Sequence, residues 1–362
     1  MPEKLRTFIA YHKSGFVGGA EVYAEVLSAH LAELVEVVQV PLPRFKAGVY
    51  ALSHVRGCFV LLKKAIKTKP SVLNVHSLAY PYAFAAALAK LLLKRPMVAT
   101  LHGVPRGRLS RAAFRLAALL ASRFCDAVVA PTEHSKSMLR REIAYGGMVE
   151  VVLPAPWLPN ASCKACSSLE QLKERFAVLC VSRVSREKCL EAALDAVGGF
   201  LKAHEEAVLV IAGPVDDASY YEELLEKVRT LGLSDKVAFL GFIPRERMRS
   251  VYESCKVFFS PFLHGGVPLS VLEAMSLGLP VVALDNGDLR SVVKSGLNGF
   301  LVDPEKPEDA ARALELLLNN DELRKKLGEH ARATAGELSW EGVARAYLSL
   351  FEEVGGFAKA GP

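Results

Sequence analysis

Amides are scarce in this chain. Glutamine occurs twice and asparagine six times among 362 residues. Thermolabile side chains are depleted in proteins that work hot, so the scarcity fits a thermophile. No stretch approaches the roughly 18 uninterrupted apolar residues of a transmembrane helix, which argues against a bilayer-spanning segment. The first apolar run is short and is followed by Lys13, which makes a poor secretory signal. The expected home is the cytoplasm. Of seven cysteines only Cys163-Lys-Ala-Cys166 has ligand spacing, and no second pair completes a zinc site. Free thiols in a reducing compartment are expected, with an intracellular disulfide open in a thermophile.

What is present is globular. Hydrophobic residues make up 51% and charged residues 23%, so disorder and collagen-like repeats are excluded. The length suggests two domains. Charge divides between them. Residues 1–170 carry 22 Lys+Arg against 10 Asp+Glu, and residues 171–362 carry 23 against 29. A basic half joined to an acidic half suggests different partners, with nucleic acid, anionic lipid or an anionic substrate open for the basic one.

Short β-branched runs alternate with helical patterns. Thr7–Tyr11, Val35–Val40, Val72–Val75, Met97–Leu101 and Ala127–Val129 read as strands, with helices over 20–34, 49–68, 79–94 and 110–123. Near-continuous apolar strands separated by helices mean a parallel sheet covered on both faces. Pro154-Ala-Pro-Trp-Leu-Pro159 then breaks the pattern as a linker. The alternation restarts with Val178–Val181, Ala207–Ala212, Val237–Leu240, Val257–Ser260, Val281–Ala283 and Gly299–Val302. Helices include Ser219–Leu231 and Leu269–Leu277, and the tail is helical over Glu308–Gly328 and Trp340–Val354. The fold class is therefore α/β, with two doubly wound domains facing a cleft. Ligands of such folds bind at the carboxyl ends of the strands.

Four loops there carry chemistry. Gly15-Phe-Val-Gly-Gly19 is either a phosphate-binding turn at a helix N-terminus or an ordinary βα turn. Ser182-Arg183-Val-Ser-Arg186-Glu-Lys188 places three cations where a diphosphate could sit, or is a solvated basic loop. Ser260 through Pro280 carries Gly265-Gly266 and then Glu273, a carboxylate able to bind ribose hydroxyls. Ala99-Thr-Leu-His102-Gly103 ends a strand in an imidazole that is either functional or merely packed.

In this order the motifs resemble the retaining glycosyltransferases of family 4, which have the GT-B fold of two Rossmann-like domains. The resemblance rests on Ser182–Cys189, Ile211-Ala-Gly213, Val237–Gly241, Ser260–Ala283 and Asn298–Val302. It implies an acceptor-side domain over 1–160, a nucleotide-sugar domain over 173–338, and a helix near 340–356 that crosses back. It implies that Gly18 and Gly19 approach the donor diphosphate and that Arg183 and Lys188 neutralise it. It places Gly265, Gly266 and Leu269 against the donor, Glu273 on the ribose, His102 on the donor sugar and Phe242 near the base. His102, Arg183 and Lys188 are the implied catalytic residues. The family uses neither metal nor cofactor, and no D-x-D pair stands here.

The chain departs from the pattern where a Glu-x7-Glu pair loses its first member to Gly265, flanked by His264. Ser291 also stands where glutamate is usual. A non-catalytic sugar-nucleotide-binding subunit, or another GT-B enzyme such as a nucleotide-sugar epimerase or a phosphorylase, therefore stays open. The acceptor is expected to be a glycan or a lipid-linked molecule. The amphipathic, basic segment Arg108–Arg123 either seats on anionic lipid or packs as an ordinary surface helix. Nucleic acid is not expected, because no aromatics interleave with the cations.

Overall fold

The computed structural model describes residues 5–13, 18–43, 50–76, 81–102, 116, 118–159, 167–263 and 265–357. The chain divides into two compact units, residues 1–154 with 339–362, and residues 155–338. The division falls at Pro154, the first residue of the linker Pro154–Pro159 and six residues before the end of the 1–160 domain that the resemblance implies.

The first unit holds β1 (Arg6–Lys13), β2 (Glu36–Pro43), β3 (Val72–Val75), β4 (Met97–Thr100), β5 (Ala127–Ala130) and β6 (Met148–Val151). They form one parallel sheet in the order β2-β1-β3-β4-β5-β6. β3, β4 and β5 are buried at every position, which is why they read as unbroken apolar runs. β6 escaped the sequence reading. It is a four-residue edge strand whose Met148 and Glu150 are exposed. The helix Trp340–Gly355 belongs to this unit and packs on the helix Gly19–Ala32. Ser339 caps it by accepting from the Gly342 amide at 3.0 Å.

The second unit holds β7 (Phe176–Val181), β8 (Ala207–Ala212), β9 (Val237–Gly241), β10 (Val257–Ser260), β11 (Val281–Leu284) and β12 (Gly299–Val302). They too form one parallel sheet, ordered β12-β11-β10-β7-β8-β9. The helical tail read over 308–328 is two helices, Glu308–Asn319 and Asp321–Gly336. Asn320 separates them, and its side chain accepts from the Leu323 amide at 2.9 Å.

In each sheet the strand order reverses once, between β1 and β3 and between β7 and β10. Open α/β sheets bind ligands at the carboxyl ends of the strands beside such a reversal. Both positions carry residues singled out from the sequence.

Candidate functional site

In the second unit, β7 ends at Val181 and the chain runs through Ser182–Ser185 into a 3-10 turn, Arg186–Lys188. Gly213, just past β8, fixes how closely this loop lies on the sheet. Its φ is +150°, and a Cβ there would stand 2.0 Å from the Ser182 carbonyl oxygen. The loop brings Arg183 and Lys188 to the β7 side of the reversal. Lys188 lies over the Phe262 ring, 4.1 Å from its centroid, and so bridges to the loop after β10.

The cations are not bare. Arg183 is 15% exposed and pairs with both Asp216 and Glu187. Arg186 pairs with Glu223 and Asp217. The carboxylates that pair with Arg183 and Arg186 come from the loop itself (Glu187), from the loop after β8 (Asp216 and Asp217) and from the helix that follows it (Glu223). Two buried hydroxyls at the same edge, of Ser185 and Ser260, have no hydrogen-bond partner.

The loop after β10 turns on Gly265 (φ +57°) and Gly266 (φ +75°). The Gly266 amide donates to Asp288 Oδ2 at 3.0 Å, and its carbonyl accepts from Asn286 Nδ2 at 3.3 Å. Both partners follow β11. The amide and carbonyl of Gly266 are therefore both hydrogen-bonded within the protein. Leu269 opens the helix Leu269–Ser276 and is buried. His264 lies outside the described residues, as do residues 14–17 of the first glycine loop, the pair Cys163 and Cys166, and most of Arg108–Arg123.

Glu273 stands one turn into that helix and is 5% exposed. Its Oε1 accepts from Arg245 Nη2 at 2.8 Å and its Oε2 from the Tyr252 hydroxyl at 2.8 Å. Burial raises its pKa above the usual carboxylate value, against the pull of Arg245 and Tyr252. Arg245 also donates to the Trp157 carbonyl and lies over the Trp157 ring, 4.4 Å from its centroid. Both carboxylate oxygens of Glu273 are thus occupied. A ribose would have to share or displace these partners. The sequence reading missed Arg245, Tyr252 and Trp157, because their separations from Glu273 carry no local periodicity. Phe242 follows Gly241 (φ +66°) at the end of β9 and is 58% exposed.

In the first unit, Gly18 caps the helix Gly19–Ala32. Its amide donates to Glu21 Oε2 at 2.7 Å. Among the described residues a Cβ at Gly19 would meet nothing within 4 Å. His102, two residues past β4, is partly buried. His76, just past β3, is 6% exposed. His76 Nδ1 and His102 Nε2 share a hydrogen bond at 3.0 Å, and the rings stack with centroids 5.1 Å apart. Burial lowers the His102 pKa to about 4 and holds His76 well below its ordinary value, so both are neutral near pH 7. Tyr23 lies edge-on to His102 and contacts Trp340, and its hydroxyl donates to Tyr347 at 3.2 Å. His76 and this aromatic wall were not read from the sequence, although His76 ends a strand just as His102 does.

Among the described residues no group of three or more His, Cys, Asp or Glu is placed to hold a metal ion. No helix among them is long and apolar enough to cross a membrane.

Two family models match. Residues 17–154 match Glycosyltransferase Family 4, and residues 167–334 match Glycosyl transferases group 1. A D-inositol 3-phosphate glycosyltransferase of Corynebacterium jeikeium is 35% identical over 178 residues, 48% of this chain and 42% of the relative. An uncharacterized glycosyltransferase of Methanocaldococcus jannaschii is 31% identical over 176 residues, 48% of this chain and 44% of the relative. The matched stretch therefore spans less than half the length of these relatives. Among solved structures, a sucrose-phosphate synthase from Thermosynechococcus elongatus has a TM-score of 0.85 at 17% identity, covering 97% of this chain and 99% of the other. HepE of Anabaena, in complex with UDP-glucose, has a TM-score of 0.75 at 20% identity, covering 96% and 100%. The architecture shared with these structures is the GT-B fold.

Proposed function

Because this chain belongs to the family 4, group 1 glycosyltransferases, we propose that it moves a sugar from a nucleotide-activated donor to a glycan or lipid-linked acceptor, with retention at the anomeric carbon. One observation carries the reading. Arg183 and Lys188 after β7, and the Gly265-Gly266 turn after β10, stand on the two sides of the strand-order reversal in the second sheet. In the reaction the bond from the sugar's anomeric carbon to the diphosphate oxygen breaks. A bond to an acceptor oxygen forms, and the acceptor's proton is lost. Negative charge grows on the departing diphosphate. Arg183 and Lys188 stabilise it, and removing one such group typically costs ~2.7–4 kcal/mol of barrier. Arg183 exchanges its carboxylate partners for phosphate oxygens, keeping its guanidinium paired throughout. No metal is needed for this. The binding of UDP-glucose by HepE supports starting the donor panel with that compound.

The test is release of nucleoside diphosphate with a glycosylated product. The anomeric configuration is read by NMR against that of the donor. An inverted product contradicts retention. Donor binding without transfer to any acceptor favours a sugar-nucleotide-binding partner subunit, a reading supported by Gly265 and by the occupied Glu273. An epimerised sugar without an acceptor product points to a different GT-B enzyme.

The proposed setting is the cytoplasmic face of an anionic membrane. From Val37 to Cys125 the sequence has 15 Lys+Arg and no Asp or Glu. Consecutive helices in that stretch, Tyr50–Thr68 and Pro81–Leu93, expose Phe59, Leu88, Leu91 and Leu92. Exposed apolar side chains on a segment rich in cations and without acidic residues favour anionic headgroups. The sequence reading placed this contact on the basic N-terminal domain, with Arg108–Arg123 as its amphipathic segment. The described part of that segment contributes exposed Leu116 and Leu120.

A further inference from the structure

We infer that His76 is a positioning residue that fixes His102 in one tautomer, donating from Nδ1 to His102 Nε2 so that His102 presents its Nδ1–H to the ligand. The inference rests on the proposed transfer only for what that ligand is, a hydroxyl of the donor sugar. The hydrogen bond between the two rings is 3.0 Å long. It needs one proton between the facing nitrogens, which two neutral imidazoles can supply in two ways. The far side of His76 distinguishes them. His76 Nε2 is buried and has no hydrogen-bond partner. If His102 donated, the proton of His76 would sit on Nε2, a buried N–H with no acceptor. If His76 donates, Nε2 keeps only a lone pair. Buried N–H groups without acceptors are the rarer and costlier of the two.

Neighbouring side chains hold the pair in place. Tyr23 lies against both rings, with centroids 5.8 Å from His76 and 5.2 Å from His102. The Tyr347 hydroxyl, bonded to Tyr23, also bonds Thr100 at 3.0 Å. Thr100 in turn accepts from Asn74 at 3.3 Å. Asn74 and Thr100 belong to the strands that lead into His76 and His102, so the strand ends and the two rings are set as one unit. A tautomer fixed by a neighbouring group is a known lever on an imidazole's role.

Nitrogen-15 NMR of the histidines in the wild-type protein without ligand tests this directly. Substitutions at His76 and His102 assign the signals. The expected result is a protonated Nδ1 and a bare Nε2 on His102. The reverse pattern overturns the inference, whether or not any transfer activity is found. In the transfer assay, His76→Leu is expected to lower kcat on the order of 10- to 100-fold, with donor KM changing much less. His76→Asn, whose amide nitrogen stands near the Nδ1 position, is expected to restore most of it. Unchanged kcat in a folded His76→Leu protein, or equal loss in the Leu and Asn variants, also overturns it.

Discussion

Glu273 shows how burial changes what a motif residue can do. It is a carboxylate in an apolar helix face, with Arg245 and Tyr252 on its two oxygens. Its raised pKa means the folded chain binds this proton more tightly than the unfolded chain does. Stability from this group is therefore greatest at acid pH and is lost as pH rises through the raised value. Arg245→Met leaves the carboxylate buried without its cation and held only by the Tyr252 hydroxyl, which costs roughly 3 kcal/mol near pH 7. The same variant raises the pKa further, so the cost should shrink on acidification as Glu273 protonates. Denaturant melts at pH 5 and pH 7 check this, and a pH-independent cost contradicts it. The histidine pair has the opposite sign. Both pKa values are lowered, so stability they contribute above pH ~6.5 is lost as pH falls toward the His102 value of about 4. His102→Gln should flatten that acid-side decline.

At the scale of elements, the loop after β7 depends on a glycine in another strand's exit. Gly213→Ala drives a methyl group into the Ser182 carbonyl. The expected result is a loss of ~1–3 kcal/mol of stability together with weaker nucleotide binding, because Ser182–Lys188 must shift. Unaltered nucleotide affinity in the folded variant would show that the loop's height on the sheet does not matter. The strands around this loop were legible in the sequence, since buried parallel strands are unbroken apolar runs bounded by loops. β6 was not, because an edge strand of four residues with Glu150 exposed carries no such run. The positions of Arg183, Lys188 and Gly265 at the strand ends were legible for the same reason. Their partners were not. Asp216 reaches Arg183 only because β7 and β8 are neighbours. Asp288 reaches Gly266 only because β10 and β11 are. Arg245, Tyr252 and Trp157 meet Glu273 through folding that no local spacing encodes.

For the whole molecule, the acid-free stretch from Val37 to Cys125 predicts co-sedimentation with anionic vesicles at low salt. Leu91→Ser with Leu92→Ser should weaken this binding, added salt should weaken it further, and neutral vesicles should bind little. Protein that stays in the supernatant with anionic vesicles at low salt contradicts the membrane assignment. The central claim, a nucleotide-sugar donor held beside the reversal of the second sheet, is tested most directly by thermal stability. Wild type and Arg183→Ala are melted with a panel of nucleoside diphosphates and nucleotide sugars. A donor at ~100 times its dissociation constant should stabilise the wild type by about 2.7 kcal/mol. One nucleotide sugar is expected to do so, and Arg183→Ala to lose the effect. No stabilisation by any member of the panel, or equal stabilisation of both proteins, would contradict it.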